Sequence, residues 1–388
     1  MGVIRRVAEV LQSAPTVEGA GVHVRRAFGF AEATRTDPFL QLDDLRSSSP
    51  ADYLPGYPWH AHRGIETITY MLAGSLTYSD SLGNRGVTPA GEVMWMTAGS
   101  GVVHQEMPRG DRSGRLKGIQ LWANLSAESK MRAPRYIEIV AEEIPIVDLP
   151  GGGRARVIAG HLEGVDGPVP DLMTTPCFFD LALPAGMAAR LPATEGHTAI
   201  LYVLSGDLIP GDGHALLTAG QAALYEAEGE TLSLTAGEEG ARAILIGGAP
   251  LREPMVHRGA IVMTTEREVE AALDELEGAQ IATVDFTTTT PMDLEIDLGA
   301  IMAAMSQAMT SESTPDDFKL VMGMDGEESF SGTTRVNLSK GLPVGFEGEG
   351  HMKISVTITE APEEMVPADQ RGPYDIDMTM DITLEQVK

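Results

Sequence analysis

The sequence predicts a mainly β protein: two similar β-barrels or sandwiches, then a small acidic α+β module with an antiparallel sheet. Three observations point there. From about residue 15 to 140 the chain is short apolar or alternating runs broken by Gly, Pro, Asn and Asp, as in "ETITYMLAGSLTYSDSLGNRGVTPAGEVMWMTAGSGVVHQEM". Closely spaced strands with turn signals between them build sandwiches and barrels. The stretch from about 155 to 260 repeats the texture, and "HTAILYVLSGDL" matches "ETITYMLAGSL" in form, each a strand running into a glycine-centred turn. After residue 290 the composition shifts: no Trp occurs, half of the 20 Met residues do, and acidic residues heavily outnumber basic ones.

Taken in order, the N-terminal "MGVIRRVAEVLQSAP" has no apolar run of signal-peptide length, and no window reaches the ~18 apolar residues of a membrane span. Arg6 stands where a myristoylation signal needs Ser or Thr. Residues 1–140 are assigned to a first barrel and 141–285 to a second. A helix in "TTEREVEAALDELEG" is expected to close the second half. Thr265 and Glu268 form a capping box, Val269, Ala272, Leu273 and Leu276 form a stripe, and Gly278 sits where a C-terminal cap belongs. "FTTTTP" reads as a linker to a module at 291–388. There "MDLEIDL", "KISVTIT" and "YDIDMTMDITLEQV" alternate with period two and "AIMAAMSQAM" reads as a helix. Its carboxylates read as a solvated face.

Charge and cysteine content narrow the function. At 28 Lys+Arg against 56 Asp+Glu the formal charge is -28, which repels phosphate backbones and anionic membranes, so direct nucleic-acid or membrane binding is not expected. The single cysteine, Cys177, lies in apolar "PCFFDL" and reads as a packed thiol; a reducing cytoplasm fits.

The chemistry is concentrated in two short stretches. In "PWHAHRGIETITY" strand alternation puts His60 and His62 on one face, and in "GSGVVHQEMP" it does the same for His104 and Glu106. Brought together on facing strands, they place three imidazoles and one carboxylate around one point. That set suits Fe(II), Mn, Ni, Cu or Zn, and its lack of thiolates argues against a structural zinc. His197 has no second histidine two residues away, so one metal is expected. His161, His214, His257 and His351 occur singly and receive no role. Trp59, Met94, Trp95 and Met96 read as core before they read as a pocket wall.

Residues 58–74 resemble the first cupin motif. With "WMTAGSGVVHQEMP", "GIQLWANL" and "REPMVHRGAIVMTTEREV" in order, about residues 1–285 resemble the pirin family. The "AGSG" before His104 and the Glu106 after it depart from the general cupin pattern in the way that branch does. The resemblance implies a bicupin, two cupin barrels packed together, with one iron held by His60, His62, His104 and Glu106 in the N-terminal barrel. Glu66 is implied to be no ligand, and is read as orienting an imidazole; Arg63-Gly64 follows the ligand pair in pirins too. Two functions follow from the resemblance. One is an Fe(II)-type dioxygenase taking O2 and flavonols such as quercetin, with Glu106 also the general base. The other is a metal-dependent, redox-responsive regulator of protein partners such as transcription factors or metabolic enzymes.

Overall fold

The computed structural model describes residues 2–169, 177–211, 213–278, 282–297, 321–337, 342–360 and 374–385, with side chains described as far as Glu275. They form two compact units that divide between Ala279 and Gln280.

In the first unit, one barrel is made of two sheets. Four strands run in the order Tyr57–His62, Val102–Arg109, Ser75–Asp80, Arg85–Pro89. Seven run in the order Arg135–Ile139, Val93–Thr97, Ile65–Ala73, Leu116–Asn124, Phe39–Ser47, Val22–Phe28, Ala14–Glu18. The second barrel is a nine-stranded sheet centred on Thr198–Pro210 and Thr231–Gly248.

Period-two alternation explains how the barrels stack. Along Thr198–Pro210, Ala199, Leu201 and Val203 point into the second barrel with Leu181 and Leu245. Ile200, Tyr202 and Leu204 point the other way and pack with Ile68, Tyr70 and Ile119 of the first barrel. Both faces are therefore buried from Ala199 to Leu204, and that run is apolar throughout. At about 1.5–3 kcal/mol for each large aliphatic or aromatic side chain removed from water, that shared layer holds the barrels together.

The internal repeat appears there as a crossed pair of hydrogen bonds. Tyr70 and Tyr202 hold equivalent places, ahead of the turn glycines Gly74 and Gly206. Tyr70 donates its hydroxyl to Asp180 Oδ2 at 2.8 Å, and Tyr202 donates to Asp44 Oδ2 at 2.7 Å. Each buried carboxylate is also held by a guanidinium, Arg242 on Asp180 and Arg46 on Asp44. Pairing of this kind is what makes a buried charge tolerable.

Three expectations need correction. Residues 1–140 are not one barrel: the strand Val7–Gln12 pairs with Gln221–Tyr225 of the second sheet. Short alternating strands carry no mark of which sheet they will join. The helix, Glu266–Gly278, has the expected capping box, with Thr265 N–H donating to Glu268 Oε2 at 2.9 Å and Glu268 N–H to Thr265 Oγ1 at 3.3 Å. Val269 and Ala272 are buried as expected, and the side chain of Leu276 lies outside the described residues. The helix does not, however, close the second half. The hairpin before it, Val256–Arg258 with Ile261–Met263, bridges Ile261 to Arg63, and Arg63 pairs with Glu275. Val262 fills an apolar cluster with Ile65, Met96 and Val102, which ties this segment to the first barrel.

The third correction is the linker. "FTTTTP" lies inside the strand Ala282–Asp297, in keeping with the β preference of branched threonines. The second unit is an antiparallel sheet of Ala282–Asp297, Val321–Asn337, Leu342–Glu360 and Tyr374–Glu385 in chain order. The helix expected in "AIMAAMSQAM" and the side chains on either face of this sheet lie outside the described residues. Truncation after Gly278 is expected to leave a folded, metal-binding protein, checked by circular dichroism and metal analysis. An insoluble or metal-free product would show that the first unit depends on the second. Among the described residues no helix is long and apolar enough to cross a membrane.

Candidate metal centre

The core of the second barrel is apolar, whereas the interior of the first is interrupted by histidine, glutamate and glutamine. The strands Tyr57–His62 and Val102–Arg109 are antiparallel neighbours, with His104 opposite His60 and Val102 opposite His62. This register gathers the rings: centroids lie 4.7 Å apart for His60 and His62, 4.5 Å for His60 and His104, and 4.8 Å for His62 and His104. One nitrogen from each falls within 4.8 Å of the others, a grouping that could hold a metal ion.

The protonation states favour metal. Burial lowers the pKa of His60, and lowers those of His62 and His104 well below the histidine range, with neighbouring imidazoles adding to the effect on both. Neutral rings are the form that ligates. The Pro58 carbonyl lies 2.8 Å from His60 Nδ1 and accepts its proton, leaving Nε2 with a free lone pair directed at His104 Nε2, 3.1 Å away. His62 Nδ1, His104 Nδ1 and Glu106 Oε1 are buried without a hydrogen-bond partner. Buried polar atoms left unpaired are costly, and at two of the three clustered imidazoles a bound ion would offset that cost. The donor set fits one transition-metal ion.

Glu106 is placed differently from the three histidines. The register shift between the two strands comes from an extra residue between Tyr57 and His60, while the strand that carries Glu106 keeps its alternation; the carboxylate nevertheless does not join the imidazole grouping. Its Oε2 accepts from Gln120 Nε2 at 3.0 Å, across the barrel. Gln120 also donates to Thr69 Oγ1 at 3.2 Å and accepts from Trp122 Nε1 at 3.2 Å. Burial pushes the Glu106 carboxyl up to about 7, offset in part by the Gln120 hydrogen bond. Sequence reasoning missed Gln120 and Trp122. The signal was present in "GIQLWANL": Gln120 and Trp122 sit two apart, on the face opposite Ile119, Leu121 and Ala123, so a polar side chain had to enter the barrel.

Glu66 does not orient an imidazole; it accepts from Thr97 Oγ1 at 2.7 Å. Trp95, Met94 and Met96 are core, while Trp59 and Trp122 are half-buried, with Trp122 edge-on to His62 at 5.1 Å. Arg63 is not surface-facing: it is 7% exposed, donates to Glu275 at 2.8 Å and packs on Gly101.

The turn after His62 is fastened from several sides. Gly64 has φ 76, and a Cβ there would lie 1.9 Å from the Val262 carbonyl oxygen, so only glycine fits. Gly99, in "AGSG", has φ 51 and abuts the Arg132 carbonyl in the same way. Its own carbonyl accepts from Gly64 N–H at 2.8 Å, which explains the motif as a stitch between the two ligand segments. Lys130, buried, donates to Gly64 O at 3.0 Å, Asn124 Oδ1 at 2.6 Å and Val262 O at 3.0 Å. Burial pulls its pKa down to about 8, yet three N–H donors meeting three acceptors is the arrangement of the ammonium form. Lys130→Met strands those acceptors at about 1–3 kcal/mol each. It is expected to cost about 3 kcal/mol or more, read as a Tm lowered by roughly 6 °C or more in thermal denaturation.

Two barrels packed back to back, one carrying a buried imidazole cluster, define a bicupin with a candidate metal centre in its N-terminal barrel. The pirin family model matches residues 21–123, and that of the pirin C-terminal cupin domain matches residues 178–282. The chain belongs to the pirin family. A Pseudomonas aeruginosa protein provisionally named a quercetin 2,3-dioxygenase is 41% identical over 285 residues, covering 72% of this chain and 98% of its own. Human pirin is 34% identical over 284 residues, covering 72% of this chain and 95% of its own. The crystal structure of quercetin 2,3-dioxygenase from Acinetobacter baumannii superposes with a TM-score of 0.67 at 32% identity, over 71% of this chain and 98% of that one.

Proposed function

We propose that the chain is an Fe(II)-type dioxygenase of flavonols such as quercetin, with His60, His62, His104 and Glu106 holding one ion. The observation that carries this reading is the cluster of three buried imidazoles, with the unpaired Glu106 Oε1 buried two residues along the strand from His104. A bound Fe(II) would supply Lewis acidity toward the substrate oxygens and one-electron exchange with O2. Glu106 would take the proton of the flavonol 3-hydroxyl at Oε1. Gln120 fixes Oε2, so the base oxygen keeps its aim. Trp59 and Trp122 would flank a flat aromatic ring. Names and folds of the relatives above support the substrate class, and the single, packed cysteine accords with a cytoplasmic setting.

The deciding experiment is metal analysis of anaerobically purified protein followed by O2 uptake with a panel of flavonols. One metal per chain is expected, unchanged in His197→Ala, with O2 consumed in step with quercetin. No uptake from protein that carries its metal would turn the reading to a regulator whose partner affinity follows the oxidation state. A stoichiometry near two would mean that a second site exists.

A further inference from the structure

The second barrel holds a cavity of about 690 Å³ whose wall combines apolar Phe179, Leu232 and Leu245 with Arg5. Arg5 arrives from the N-terminal segment and is 1% exposed. Among the described residues its guanidinium donates to carbonyl oxygens: Gly229 at 3.0 Å from Nε, His197 at 2.7 Å from Nη1, and Thr194 from Nη2. Those bonds use three of the five N–H donors of a guanidinium. Glu195 and Glu228 act on it from exposed positions, without a salt bridge among the described residues, and Asp166 at the cavity is engaged by His161 at 2.7 Å. Elsewhere in this fold buried carboxylates and guanidinium groups pair, as in Asp44 with Arg46 and Asp180 with Arg242. A buried cation whose hydrogen bonds among the described residues go to neutral carbonyls, with carboxylates acting only from exposed positions, is costly, and burial lowers the pKa of Arg5. An anion in the cavity would remove that cost.

We propose that this cavity of the metal-free barrel binds a small carboxylate with an apolar body, the carboxylate meeting Arg5 and the body lying against Phe179, Leu232 and Leu245. A phosphate ester fits less well, since the apolar wall has nothing to offer its further oxygens. The proposal does not depend on the reaction assigned to the first barrel.

Cys177, the chain's single cysteine, lines the same cavity and reports on its occupancy. The full-length protein is titrated calorimetrically with hexanoate and benzoate, and with hexanol and benzyl alcohol as uncharged counterparts. Alkylation of Cys177 by N-ethylmaleimide is followed by intact mass. Both carboxylates are expected to bind and to slow alkylation several-fold, and both alcohols to do neither. Arg5→Met should abolish carboxylate binding. Because that change also strands three carbonyls, Ala193→Trp, which fills the half-buried mouth, provides a second variant and should abolish binding in a folded protein. Alcohols binding as well as the acids, carboxylate binding that survives Ala193→Trp, or no binding by any of the four would overturn the proposal.

Discussion

His62→Ala is expected to yield folded protein whose metal content falls to background. His62 is 2% exposed, its Nδ1 has no partner, and its ring stands among the other two imidazoles and the edge of Trp122. Removing groups that merely orient a ligand costs about 10–100-fold in metal affinity, and removing a ligand costs more. The fold should survive, because in the metal-free state the lost imidazole is an unsatisfied polar group and its burial was a debit. Metal analysis after anaerobic purification, alongside circular dichroism, checks both halves of this expectation. Full metal occupancy in folded His62→Ala would remove the histidine cluster as the site.

Glu106→Gln is expected to keep some metal through His60, His62 and His104 while flavonol turnover drops by about 10²-fold or more, the scale of a lost general base. The surroundings sharpen this. Gln120 donates to Glu106 Oε2, so a glutamine at 106 would turn its carbonyl oxygen toward Gln120 and its NH2 toward the imidazoles. An NH2 group neither ligates nor accepts a proton. Turnover equal to wild type would reject Glu106 as base while leaving the reaction class intact.

How much of this was legible in advance depends on the range of the interaction. The sharing of a face by His60 and His62 is a property of three consecutive residues in a strand, and the Thr265 to Glu268 capping box is a property of one helical turn, so both could be read from the chain. The partner of Val7–Gln12 is set by contacts with Gln221–Tyr225 and leaves no trace in either segment. Glu106 shows the boundary between the two cases. Alternation placed it on the face of the imidazoles, but the extra residue between Tyr57 and His60 on the neighbouring strand and the hydrogen bond from Gln120 on the opposite sheet are long-range facts. The partner of Arg63 is equally distant in sequence, since the carboxylate it meets is Glu275. The threonines of "FTTTTP" were a local signal read in the wrong sense, polarity having been weighed above β-branching.

The swapped first strand also sets an order of events during synthesis. Arg5 and Val7–Gln12 leave the ribosome well before their partners, since Arg5 bonds Gly229, 224 residues later, and the strand pairs with Gln221–Tyr225. The second barrel therefore cannot close on the growing chain until nearly all of it has been made, and the first waits later still for Val262 to fill its apolar cluster. Contacts that distant are slow to form, and a strand edge left waiting is exposed to other chains in the meantime. Anything fused ahead of Val7 would have to be carried through that late step, whereas extensions at the other end of the first unit would not.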